Sequence, residues 1–114
     1  MGPTLRGWQI IDATLDGHPL RVGNTHTEQS APFINVTEPI NTAQTQEFIA
    51  AVVDTTPAGS GLVGLGDFNC IPTSQSYSLL SSKLSDAWMI NAGEGLTCCQ
   101  ASDLNNTVSE FTAR

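Results

Sequence analysis

The sequence of 114 residues predicts an α+β domain in which an antiparallel hairpin, a crossover helix and a buried strand form one layer pair. Three observations carry this. Two β-rich stretches flank Asp16-Gly17-His18-Pro19, a strong turn signal. Apolar residues recur at helical spacing between Asn41 and Asp54. The run Leu62-Val63-Gly64-Leu65-Gly66-Asp67-Phe68-Asn69 is short, apolar and bounded by glycine, as suits a strand in a buried sheet. With 39% hydrophobic and 13% charged residues, the chain can bury one small core and not two.

The hairpin comes first. Gly7 to Leu15 is rich in β-branched and aromatic residues and reads as a strand, and Leu20 to Thr27 resumes it after the turn. Along the second strand Leu20, Val22, Asn24 and His26 share a face. That face begins apolar and ends polar, as if the strand leaves a core for a cleft. Glu28 to Pro39 reads as a loop. Asn41 is placed to cap the next helix, with Gln44 completing a capping box. Phe48, Ile49, Val52 and Val53 form the helix's apolar stripe, while Gln44, Gln46 and Glu47 are assigned to its wet face.

Thr55 to Gly61 returns the chain to the sheet. The Leu62–Asn69 strand then delivers Asp67 and Asn69 to one side and Phe68 to the other. The plainer alternative is a strand followed by an Asp-x-Asn turn, since both residues form turns readily. Ser74 is placed to cap a short helix from about Gln75 to Leu84, with Tyr77, Leu80 and Leu84 on one side. Asp86 to Met89 and Leu96 to Cys99 read as short strands. Gln100 to Arg114 is polar and poorly periodic.

Net charge is −7, with Arg6, Arg21, Lys83 and Arg114 as the basic residues. A protein that grips nucleic acid through its phosphates needs a basic stripe. Tight nucleic-acid binding by this chain alone is therefore not expected, although a metal-assisted site could act on a phosphate because the cation brings its own charge. No apolar run reaches the roughly 20 residues of a membrane-spanning helix. Met1 to Arg6 contains no apolar block of a secretion signal. Neither segment is expected within this chain, which leaves secreted and cytoplasmic locations both open, and oligomeric state undetermined. Cys70, Cys98 and Cys99 are an odd set. Adjacent cysteines bridge poorly, zinc would need a fourth ligand, and a Cys70 bridge to Cys98 or Cys99 would need an oxidising compartment, so buried free thiols are the first expectation and a bridge the alternative.

Two polar pairs thus fall at strand ends, Asn24-Thr25-His26 and Gly66-Asp67-Phe68-Asn69, with a helical crossover between them. This pattern resembles the endonuclease/exonuclease/phosphatase superfamily of deoxyribonuclease- and sphingomyelinase-like metal-dependent hydrolases. Its Asn-x-His and Gly-Asp-Phe-Asn motifs stand here in the family's order. The surroundings agree: Gln46-Glu47 on the helix, Ser74-x-x-Tyr77-x-x-Leu80, Ser85-Asp86-Ala87, Gly95-Leu96-Thr97, and Thr97-Cys98-Cys99-Gln100, which similar bacterial members also carry.

The resemblance implies part of a four-layer α/β/β/α sandwich with mixed, mainly antiparallel sheets. It covers nearly all of residues 1–114 but only the central and C-terminal part of the family's domain. The upstream strand with a metal-binding glutamate and the later Asp-His motif have no counterpart here. The implied chemistry is hydrolysis of a phosphoester by metal-activated water, with magnesium as cofactor and manganese or calcium as substitutes. Asp67 would hold the metal or the attacking water. Asn69 would bind a phosphate oxygen or fix Asp67, His26 would donate to a non-bridging oxygen, and Asn24 would support the loop. His18, in the turn, is assigned no role. With the set incomplete, residues 1–114 alone are expected to be inactive. The alternative is a non-catalytic binding or scaffold module that keeps the fold.

Overall fold

The computed structural model describes residues 5–29 and 38–91. Strand β1 (Trp8–Leu15) pairs antiparallel with β2 (His18–His26), and β2 pairs parallel with β3 (Gly61–Asp67), giving a mixed sheet in the order β1-β2-β3. The fold class is therefore α+β, as the sequence predicts. Asp16 and Gly17 form the two-residue hairpin loop with φ of 49° and 81°. Positive φ at both positions is what a type I′ turn requires and what Asp-Gly supplies. Pro19 lies within β2, before its pairing with β3 begins at Leu20. Its missing N–H is tolerable there because no neighbouring strand asks for it.

Helix α1 (Glu38–Phe48) continues into a π-helical turn, Ile49–Val53, closed by the Asp54 amide donating to the Ile49 carbonyl at 2.9 Å. The helix begins before Asn41, so Asn41 is not a cap and Gln44 closes no capping box. Asn41 is instead wholly buried under the sheet's end. Its amide nitrogen donates to the carbonyls of Glu28 at 2.5 Å and Phe68 at 3.0 Å, and to Thr27 Oγ1 at 3.1 Å. Ser76 Oγ donates to its carbonyl oxygen. A buried amide satisfied on both ends stabilises one arrangement, because any other leaves donors unpaired.

Strand alternation and register sort the sheet into two faces. Trp8, Ile10 and Asp12 share one face with Arg21, Gly23 and Thr25, and with Leu62 and Gly64. The helix layer covers the β2 and β3 part of this face, while Trp8 and Ile10 on β1 stay exposed. A methyl group at Gly23 would strike Val52 and Phe48, and one at Gly64 would meet Leu84 and Phe48. These glycines let the helix lie close to the strands. Among the described residues Phe48, Ile49, Val52, Cys70 and Leu80 are buried and apolar, and Phe48 meets Phe68 edge to face at 5.5 Å. Arg21 is 8% exposed and joins the layers, donating to Asp12 at 2.7 and 2.8 Å, to Thr55 Oγ1 at 2.8 Å and to the Val52 carbonyl at 3.4 Å.

Helix α2 (Gln75–Ser81) is capped as expected, Ser74 Oγ accepting from the Tyr77 amide. Residues 87–91 form α3 (Ala87–Asn91) rather than the expected strand. Asp86 decides this: its carboxylate accepts from the Trp88 amide at 2.9 Å and from the Tyr77 hydroxyl at 3.0 Å. An N-cap anchored to α2 outweighs the β preference of Trp88. The expected strand Leu96–Cys99 and the stretch after it lie outside the described residues, as do Cys98 and Cys99.

Candidate functional site

Because β2 and β3 run parallel, both end at the same edge of the sheet. Register places His26 directly opposite Asp67 and Asn24 opposite Leu65. His26, Asn24 and Asp67 project from the face that the helices leave bare. Ligands of open sheets containing parallel strands bind beyond the carboxyl ends of those strands, and that is where the two motifs meet. His26 Nε2 stands 3.8 Å from Asp67 Oδ2, and both side chains are more than half exposed. Asn24 is also exposed, one residue pair back from the edge.

The turn after β3 fixes these groups. Gly66 has φ of +140°, and a methyl group there would collide with the Thr25 carbonyl. Only glycine lets β3 pass β2 this closely and still turn. The strand ends at Asp67, so the alternation expected to carry Asn69 to the same side does not extend that far. Asn69 takes a left-handed conformation, φ 46°, and its amide donates to Asp67 Oδ1 at 3.1 Å. This is the Asp-x-Asn turn, and it makes the carboxylate part of the backbone's own geometry. The Asn69 side chain donates to the Thr27 carbonyl at 3.0 Å, tying the turn across to β2. From the other strand the Thr27 amide donates to the Asp67 carbonyl at 3.1 Å and the Thr27 hydroxyl to the Phe68 carbonyl at 2.5 Å. Beneath lies Asn41. The site is thus held by backbone carbonyls and buried amides.

Three contributors went unrecognised in the sequence. Asn41 was given to the helix cap and Gln44 to the wet face, yet Gln44 Oε1 accepts from the Glu28 amide at 2.6 Å. Arg6 precedes β1, with Nη1 3.4 Å from His26 Nδ1 and Nη2 3.4 Å from Glu28 Oε2. The hairpin register could have found it. Trp8 pairs with Thr25, so the residues just before Trp8 must pass His26 and Thr27. His18 is exposed at the hairpin loop, away from the site.

For a divalent cation, Asp67 offers one carboxylate. Among the described residues no group of three or more His, Cys, Asp or Glu converges. Magnesium takes one or two carboxylates and completes its shell with water and phosphate oxygens. The described residues therefore offer one carboxylate here and not a cage of ligands. A mainly apolar groove of about 680 Å³ lies elsewhere, between β3 and α2–α3, lined by Leu65, Phe68, Tyr77 and Leu84. His26, Asp67 and Asn69 do not line it. Among the described residues no helix is long and apolar enough to cross a membrane.

No protein-family model matches the sequence, and no curated protein does. Among solved structures the chain is similar to sphingomyelinase C from Streptomyces griseocarneus, with a TM-score of 0.50 and 19% sequence identity. The match covers 68% of this chain and 28% of that one, so the chain spans little more than a quarter of that protein's length. At this identity the likeness is one of fold: the sheet and helices described above are arranged as part of that protein's structure is.

Proposed function

We propose that residues 1–114 carry one half of a phosphoesterase site, hydrolysing a phosphodiester or phosphomonoester with a metal-activated water when the remaining ligands are present. One observation supports it above the others. Two motifs far apart in sequence place an imidazole and a carboxylate side by side, at the carboxyl ends of adjacent parallel strands. In this reading His26 donates from Nε2 to a non-bridging phosphate oxygen as charge grows on it. Asp67 orients the attacking water and accepts its proton. Asn69 holds Asp67 through its own amide and stops it rotating away. Asn24 lines the approach along the same face. A divalent cation, taking Asp67 as one ligand, would supply charge neutralisation and a more acidic water.

Substrate class is left at phosphoesters. With no cage of ligands among the described residues, residues 1–114 alone bind and orient the ester but do not turn it over. The test joins both statements. Purified residues 1–114 are titrated with a chromogenic phosphodiester in the presence of magnesium, by NMR and by colour release. The expected result is movement of the His26 ring and Asn69 amide signals, with the Asn69 movement abolished by His26→Ala, and no hydrolysis above background. Absence of any ligand-induced movement at millimolar ester would sink the reading in favour of a scaffold that keeps the fold. Magnesium-dependent turnover that Asp67→Ala abolishes would overturn the inactivity alone.

A further inference from the structure

We infer that Arg6 is a positioning residue for His26, holding the neutral imidazole with its proton on Nε2, the nitrogen that faces Asp67. A guanidinium has only N–H donors and no acceptor. The ring atom it faces must therefore accept. That atom is Nδ1, 3.4 Å from Arg6 Nη1. A neutral imidazole has one donor and one acceptor nitrogen, so occupation of Nδ1 by a donor sends the proton to Nε2. Nε2 is the atom 3.8 Å from Asp67 Oδ2 on the bare face.

Arg6 is itself held in place. Its Nη2 donates to both carboxylate oxygens of Glu28, at 3.4 and 3.5 Å. Glu28 is anchored through its backbone, the amide to Gln44 at 2.6 Å and the carbonyl to Asn41 at 2.5 Å. The orientation of the imidazole proton is thus traceable through Glu28 to helix α1. Arg21 and Lys83 are engaged with Asp12 and Asp54, away from the site. The value of this arrangement for chemistry rests on the phosphoesterase reading, which needs a donor at Nε2. The arrangement itself does not.

The chain has two histidines, so a ring spectrum carries two sets of signals, and His18→Gln assigns them. Long-range proton–nitrogen correlations are recorded on the labelled protein at a pH above the ordinary histidine range. His18, exposed at the hairpin loop, is the solvent reference. The expected result is a ratio of Nε2–H to Nδ1–H forms several-fold larger for His26 than for His18. Arg6→Ala should return His26 to the His18 balance, and Arg6→Lys, also only a donor, should keep part of the bias. Equal balances for the two histidines in the unaltered protein overturn the inference, and need no variant to fold. A His26 balance unmoved by Arg6→Ala, with the amide spectrum of β1 and β2 intact, overturns it equally. Failure of phosphodiester to bind tells against the functional reading and leaves the tautomer measurement standing.

Discussion

The Asp12–Arg21 pair shows what a single residue contributes here. Arg21 is nearly buried, and its fork takes both oxygens of a carboxylate that remains largely solvated. The hydrogen bonds from Arg21, with its charge, hold the Asp12 carboxyl below its ordinary range, and Asp12 in turn raises the guanidinium. A carboxyl depressed in the folded state contributes stability that is complete above its unfolded value and is lost as pH falls through the folded one. Stability of the protein should therefore decline on acidification through the lower carboxylate range. Asp12→Asn should flatten that decline and leave a lower plateau near neutrality, read as melting temperature against pH. Neither partner announced this role in the sequence. Arg21 appeared only as one of a few positive charges, because a bidentate contact between strands depends on register and not on composition. By contrast Asp67 and His26 stand out in the sequence through the two motifs, and strand register sets the two residues opposite each other.

At the scale of elements, the contact between helix and sheet depends on absent side chains. Gly23 sits at the centre of β2 beneath the π-helical turn, where a methyl group would meet Val52 and Phe48. Val52 is wholly buried and stiff at χ1. Gly23→Ala should therefore cost about 1–3 kcal/mol through overpacking. Adding Val52→Ala should recover part of that loss although Val52→Ala alone destabilises, which a double-mutant cycle in urea would measure. The elements' order and type were readable over the hairpin, α1, β3 and α2, where period and turn residues agreed. The sequence misled where one tertiary contact outweighed local preference. Asp86, tied to Tyr77, starts a helix where Trp88 and its neighbours favour a strand. Asn41 has the composition of a cap but is drawn inside by the carbonyls it serves. The widened turn at Ile49–Val53 leaves no trace in apolar spacing, because the buried pattern is nearly that of a regular helix.

For the molecule as a whole, the described helices pack on one face of the sheet, over β2 and β3, and leave the other face bare. Ile11, Leu15, Val63 and Leu65 remain 41–62% exposed on the other, beside Leu20 and Val22. Apolar exposure on this scale marks a surface built to be covered. The folded protein should bind a fluorescent apolar dye, and Ile11→Thr with Leu65→Thr should lower that signal without loss of β structure by circular dichroism. The site lies at one rim of this same sheet. The opposite rim holds the other half of the topology: the Asp16-Gly17 turn and the connection from Asp54 to Ser60 both lie where β3 begins, a strand length of about 20 Å from Asp67 at a rise near 3.3 Å per residue. Parallel pairing of β2 with β3 enforces this separation, because the crossover must return to the start of the sheet before β3 can run toward His26. The sheet therefore has one end where Gly66, Asn69 and buried Asn41 pin the backbone, and another where loops close the hairpin and the crossover. Insertions, tags or a split between halves of the chain belong at that second end, where a longer loop leaves the backbone around His26 and Asp67 untouched.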